Sequence, residues 1–145
     1  MADRGGFLTR EPIGAAGDSG TGVLPGHGGV VSFQGVVRNL HDGRLVTGIE
    51  YVAYEEMAER EAALIVREAE ARWPVRVTLR HRLGALNVGE VAVVVVIAAA
   101  HRGEAFTACR WVIDEVKRRV PIWKHESYAD GSSAWVDPTA PGTSR

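Results

Sequence analysis

The sequence predicts an α+β domain built on a mainly antiparallel sheet with two main helices, and three observations carry that reading. Strand-like segments come in runs rather than in strict alternation with helices. Two stretches, Glu55 to Trp73 and His101 to Arg119, repeat apolar residues every three to four positions. The run Val91 to Ala98 is apolar throughout, as a central strand buried on both faces requires.

Taken in order, residues 1–28 form a glycine-rich stretch, with Gly14, Gly17, Gly20, Gly22, Gly26 and Gly28 close together, and are expected to be a flexible arm because glycine loses much backbone entropy on ordering. Within it, a short extended piece around Phe7 to Ile13 suits a sheet edge, where Pro12 is tolerated. One domain is expected over 29–137. Its first strand holds Val30, Val31, Phe33, Val36 and Val37. A polar loop, Asn39-Leu40-His41-Asp42-Gly43, leads into a second extended run, Leu45 to Tyr54. These two runs are expected to pair with each other through a connection longer than a two-residue hairpin.

The first helix places Ala58, Ala62, Ile65, Ala69 and Trp73 on one face and is stopped by Pro74. The pairs Glu56 with Arg60 and Glu68 with Arg72 have i,i+4 spacing and suggest a solvated face. Val75 to Leu79 alternates as a half-buried strand does, and Leu83 to Leu86 leads to the apolar run. The second helix has Ala105, Cys109, Val112, Ile113 and Val116 as its stripe and ends before Pro121. Ile122 to Tyr128 is extended, the composition after Asp130 indicates loose chain, and 138–145 is expected to be a loose tail.

Composition narrows the function classes. The chain has 145 residues, enough for one core without disulfides or a structural metal. Its 17 Lys+Arg and 18 Asp+Glu leave a net charge of -1, so no global basic field points to nucleic acid or an anionic membrane. Any anion site must be local. Cys109 is the only cysteine, which fits a reducing compartment, and the histidines lack metal-ligand spacing. No spanning segment or export leader is evident, so the expected location is cytoplasmic, with no cofactor and no metal. Glycines near residue 28 form neither a GxxxxGK[ST] nor a GxGxxG loop before a helix.

Three groups of residues could carry chemistry. His101-Arg102 stands where the buried strand gives way to a helix, so unpaired backbone N–H groups and the helix dipole could join these side chains in holding a phosphate. Lys117-Arg118-Arg119-Val120-Pro121-Ile122-Trp123-Lys124-His125-Glu126 is the densest basic stretch. Lys117 lies at the edge of the apolar stripe and Lys124 in the following extended segment, so the two ammonium groups can converge and each can lower the other's pKa from about 10.4. A lysine tuned in this way serves as nucleophile or proton carrier, whereas favourable charge at a helix C-terminus would equally account for Lys117, Arg118 and Arg119. Arg38, at the end of the first strand, offers a bidentate fork to a phosphate or carboxylate. Arg80-His81-Arg82 is a further basic cluster, read chiefly as alternating exposed positions. Cys109 is read as an inert core thiol.

Three segments together, Val31-Ser32-Phe33-Gln34-Gly35-Val36-Val37-Arg38-Asn39, Ala100-His101-Arg102 and Asp114 to Lys124 with Pro121 and Trp123 inside it, resemble the large, catalytic subunit of molybdopterin synthase. Supporting pieces are Tyr54-Glu55-Glu56-Met57, Arg72-Trp73-Pro74, His81-Arg82-Leu83-Gly84 and Gly89-Glu90. The likeness covers residues 28 to 137. It departs from the family's pattern at Leu40-His41-Asp42-Gly43, His125 and Ala134.

The resemblance implies an α/β hammerhead-type fold and a sulfurtransferase. It implies a homodimer that forms a heterotetramer with a small ubiquitin-like sulfur carrier, whose C-terminal Gly-Gly thiocarboxylate supplies sulfur to cyclic pyranopterin monophosphate. Lys117 and Lys124 match the family's catalytic lysines, and Arg38, His101 and Arg102 its substrate-binding positions. A non-catalytic carrier-binding scaffold and a phosphoester-binding regulator of the same fold are the alternatives.

Overall fold

The structure, a computed structural model, describes residues 6–14 and 23–137. The tail expected over 138–145 and, from the arm expected over 1–28, residues 1–5 and 15–22 lie outside the described residues. The elements in chain order are β1 (Leu8–Thr9), β2 (Gly29–Val36), β3 (Leu40–His41), β4 (Arg44–Ala53), α1 (Glu55–Arg72), β5 (Val75–Arg82), β6 (Gly84–Asn87), β7 (Val91–Ala99), α2 (Arg102–Arg119), β8 (Ile122–Tyr128) and β9 (Ser133–Val136). They form a four-stranded sheet in the order β1-β5-β7-β2 and a five-stranded sheet in the order β3-β4-β8-β9, with β6 also paired to β4. Every pairing is antiparallel except β1 with β5. This is the α+β architecture the sequence predicts.

The main core follows from the apolar run. From Ala92 to Ala99 every side chain of β7 is buried, and the helix-facing set Val93, Val95 and Ile97 packs with Ile65 of α1 and with Ala105, Cys109, Val112 and Val116 of α2. Burying a Val or Ile side chain fully stabilises the fold by about 1.5–3 kcal/mol, so this strand anchors the domain. Both helices end where a proline follows. Trp73 before Pro74 is extended at φ -131, ψ 150, and Val120 before Pro121 at φ -81, ψ 125, as pre-proline sterics require.

Three local outcomes differ from the sequence reading. The first and second long strands do not pair with each other. β2 lies along β7 from Gly29↔Ala99 to Val36↔Val91, whereas β4 pairs with β3, β6 and β8. The apolar β7 offers β2 a longer buried partner, and an irregularity between Gly35 and Val36 turns the chain away toward the second sheet. Second, the connection before β4 is a tight hairpin after all: His41 pairs with Arg44, and Asp42 (φ 49) with Gly43 (φ 78) supplies the two positive φ angles of a type I′ turn. Third, the chain after Asp130 is not loose throughout. It turns at Gly131 (φ 86) and returns as β9 beside β8, with Lys124 opposite Val136.

The extended piece near the N-terminus does join a sheet edge, over Leu8–Thr9, where Leu8 pairs with His81. Phe7 is 5% exposed and belongs to the core. The backbone N–H groups of Phe7 and Leu8 donate to the two oxygens of Glu59 on α1, at 2.9 and 2.8 Å. Glu68 faces its neighbouring helix rather than Arg72: Arg119 of α2 reaches Glu68 at 2.8 Å and Glu61 at 3.2 Å, clasping α2 to α1. Among the described residues no helix is long and apolar enough to cross a membrane.

Replacing Glu59 by Ala strips both N-terminal amides of their acceptor, and leaving partly buried donors unpaired costs about 1–3 kcal/mol. Chemical denaturation of Glu59→Ala should show that loss, and Glu59→Gln, which keeps an acceptor oxygen, a smaller one.

Candidate active site

The chain passes between the two sheets without an intervening helix at β2 to β3, β5 to β6 and β6 to β7, and through α1 and α2 at β4 to β5 and β7 to β8. A cavity of about 520 Å³ lies between residues of both sheets and α2. The end of β2, Ala92 and Val93 of β7, Ile49 and Tyr51 of β4 and the last turns of α2 form its walls, and Arg38, Lys117 and Lys124 contribute cationic groups.

Each cation is placed by the period of its own element. On β8 the even positions Ile122, Lys124, Glu126 and Tyr128 share one face, because strand side chains alternate. Ile122, Glu126 and Tyr128 are buried and Lys124 is largely so, so the face that carries the lysine is the inward one. On α2, Lys117 follows Ile113 by one helical turn, and both line the cavity. The neighbouring arginines are engaged elsewhere. Arg118 donates to Glu115 at 2.9 and 2.7 Å, and Arg119 joins Glu61, Glu68 and Glu115. Of the three consecutive basic residues, the cavity therefore receives Lys117. Arg38 follows the buried Val37, where the chain leaves β2.

The structure separates His101 and Arg102 from these three. They are exposed at the N-terminal end of α2, and His101 occupies the N-cap position in extended conformation without a side-chain capping bond. At 1.5 Å per residue, Arg102 and Lys117 lie about 22 Å apart along the helix. Within one chain they are not among the residues lining the cavity.

Lys124 has an anionic partner, Glu126, to which the sequence reading gave no role. Its Nζ is 3.1 Å from Glu126 Oε2, and Glu126 is 1% exposed. The other carboxylate oxygen, Oε1, accepts from His41 Nδ1 at 2.7 Å and from the Tyr128 hydroxyl at 2.8 Å. Burial pushes the Glu126 carboxyl up, but the hydrogen bonds from Tyr128 and His41 and the charge of Lys124 outweigh it and hold the group below its ordinary range. The signal was present in the strand period: if Lys124 points inward, so does Glu126 two residues on.

His81, set aside above with its flanking arginines as an alternating exposed position, is buried at the cavity wall. Its ring packs edge-on against Tyr51 at 5.0 Å and tilted against Phe7 at 6.0 Å. Nδ1 lies 2.7 Å from the Arg82 carbonyl, which only accepts, so Nδ1 carries the proton and the neutral ring keeps its lone pair on Nε2. Burial, assisted by the positive charge of Lys117 and opposed by the bond to Arg82, pushes His81 down to about 4. Tyr51 is pushed up to about 12 by burial and by the Glu126 charge. Arg82, also buried, pairs with Glu90 at 3.4 Å. Cys109 lies on the core face of α2, and burial, against a hydrogen bond at Phe33, pushes its thiol up to about 11, which leaves it protonated and unreactive at neutral pH. Among the described residues no group of three or more His, Cys, Asp or Glu could hold a metal ion.

Because the folded chain binds the His81 proton only near pH 4 while the unfolded chain binds it near 6.5, His81 contributes stability that is complete above about 6.5 and is lost as pH falls toward 4. The lost amount is about 3 kcal/mol at most. Denaturant titrations of wild type and His81→Phe across that window should show a steeper decline in the wild type.

Comparisons with known proteins identify the family and its fold. The family model described as MoaE protein matches residues 9–119. A molybdopterin synthase catalytic subunit from Nostoc sp. is 45% identical over 131 residues, which cover 89% of this chain and 76% of the relative. One from Pyrococcus abyssi is 44% identical over 132 residues, covering 90% and 84%. The crystal structure of molybdopterin synthase from Staphylococcus aureus superposes with a TM-score of 0.85 at 32% identity, over 94% of this chain and 98% of that one. With a family model matched over most of its length and relatives this similar across nearly all of it, the chain belongs to the MoaE family of molybdopterin synthase catalytic subunits.

Proposed function

We propose that the chain is the catalytic subunit of a cytoplasmic molybdopterin synthase, a sulfurtransferase that moves sulfur from the thiocarboxylated Gly-Gly terminus of a small ubiquitin-like carrier to cyclic pyranopterin monophosphate. The observation that supports it most is the convergence of Lys117 and Lys124, from a helix end and from a strand, on one cavity with Arg38 at the point where β2 ends. A thiocarboxylate and a phosphate are both anions, and a partly enclosed cationic cavity binds such groups more strongly than open water allows. The apolar walls suit a heterocycle and an extended glycine tail.

In this reading Lys117 orients the carrier's thiocarboxylate, and Lys124 supplies and takes up protons as carbon-to-oxygen bonds are replaced by carbon-to-sulfur bonds. Arg38 holds phosphate through its fork. His101 and Arg102, far along α2 from the cavity of their own chain, serve the cavity of a second copy in a homodimer, each end of which takes one carrier to give a heterotetramer.

Lys117→Ala should lose at least about a hundredfold in product formation with thiocarboxylated carrier, at unchanged melting temperature, since one fixed charge in such a site is worth about 3 kcal/mol. Near-normal turnover would remove Lys117 from the mechanism. The shared arrangement has its own check. Chains carrying Lys117→Ala mixed and re-associated with chains carrying Arg102→Ala should recover about a quarter of wild-type activity, because half the symmetric pairs then hold one intact site. No recovery would place both residues in the site of one chain.

A further inference from the structure

The geometry around Lys124 points to one more residue for this reaction. We propose that His41 is a positioning residue: by holding Glu126, it fixes the ammonium group of Lys124 in the cavity. The inference rests on the role proposed above for Lys124 and deepens it.

The two oxygens of Glu126 are used unequally. Oε1 takes two donors, His41 Nδ1 and the Tyr128 hydroxyl, and Oε2 takes Lys124 Nζ at 3.1 Å. A carboxylate held at one oxygen from two directions cannot turn about its own axis without breaking both bonds, so its second oxygen is fixed in space. The donors come from different strands. Tyr128 stands on the same strand as Glu126, whereas His41 reaches across from β3. His41 is in turn held by the type I′ turn that follows it and by its pairing with Arg44.

The cost of placing His41 there suggests what it is for. The residue is 9% exposed and lines the cavity, and its Nε2 makes no hydrogen bond, with Asp42 Oδ2 3.4 Å away. The bond to Glu126 is therefore the side chain's one hydrogen bond among the described residues. Burying a polar ring with one nitrogen unsatisfied is unfavourable unless the other bond matters. A purely structural reading, in which His41 pins the β3 turn to β8, accounts for the bond but not for the lysine on the opposite oxygen. Without His41 the carboxylate keeps Tyr128 but gains freedom to swing, and Lys124, on a flexible stem, follows it. The proton donor is then misplaced during the chemical step, while phosphate binding through Arg38 is untouched.

The test is steady-state turnover of the assembled enzyme with thiocarboxylated carrier and cyclic pyranopterin monophosphate. His41→Leu removes the donor at similar bulk, and His41→Asn returns an amide N–H near the Nδ1 position. We expect kcat of His41→Leu to fall about tenfold to a hundredfold, the worth of a hydrogen bond to a charged group, with KM for the pterin within about twofold of wild type. His41→Asn should recover most of that loss. If His41→Leu does not fold, Tyr128→Phe, which removes the other donor to the same oxygen, should lower kcat without raising KM. Wild-type kcat in His41→Leu, equal losses in His41→Leu and His41→Asn, or a loss carried by KM alone would overturn the inference. Lys124→Ala separates this failure from failure of the underlying reading. If that variant is inactive while His41→Leu is normal, only the inference falls; if Lys124→Ala is itself normal, the role of Lys124 falls and takes the inference with it.

Discussion

Burial of β7 on both faces is the constraint from which the remaining arrangement follows. A strand with no face toward water must sit between neighbours, and β5 and β2 take those places along almost its whole length. Its helix-facing side chains then need cover, which α1 and α2 provide through small residues, Ala58, Ala62, Ala69, Ala105 and Ala108, that let the helices approach closely. Once α2 starts at the end of β7 and lies back along it, its C-terminal turn is carried to the opposite end of that strand. There the cavity lies, between the start of β7 and the last turns of α2.

The cavity collects positive charge without collapsing under it because each cation has a different accommodation. Lys124 is matched by a buried carboxylate that is itself satisfied by two further donors. Lys117 stands near a histidine that burial keeps neutral, so no third positive charge is added at neutral pH. Arg118 and Arg119, which would make the site far more repulsive, are drawn off, Arg118 to Glu115 on its own helix and Arg119 to Glu61 and Glu68 of α1, where it holds the helices together. A surface ion pair is ordinarily worth little, but Arg119 is mostly shielded and bridges two helices, so its network helps set the position of the turn that carries Lys117.

Several residues were readable for what they do. The stripes on both helices, the prolines that end them and the inert burial of Cys109 follow from period and backbone chemistry, which are local. The hairpin at Asp42-Gly43 was also within reach, since that dipeptide is a strong type I′ signal, but the reading joined the wrong strands across it. Strand partnership is a choice among distant segments, and β2 chose β7 because the apolar surface there was larger. His81 was hidden by its neighbours: two flanking arginines make a histidine look exposed, and only the parallel contact from β1 and the packing of Tyr51 and Phe7 reveal that it is inside.

The sequence by itself determined the element types, the apolar strand at the centre and the presence of Arg38, Lys117 and Lys124 at the ends of elements, because these depend on spacing along the chain. Only the tertiary structure decided that these three meet in one cavity while His101 and Arg102 stand apart, since a rigid helix separates residues at its two ends regardless of their shared chemistry. It also decided that Lys124 has Glu126, His41 and Tyr128 behind it. Glu126 and Tyr128 follow Lys124 at the strand period on β8, whereas His41 joins from β3, and a hydrogen bond between segments so distant in sequence leaves no periodic trace in it.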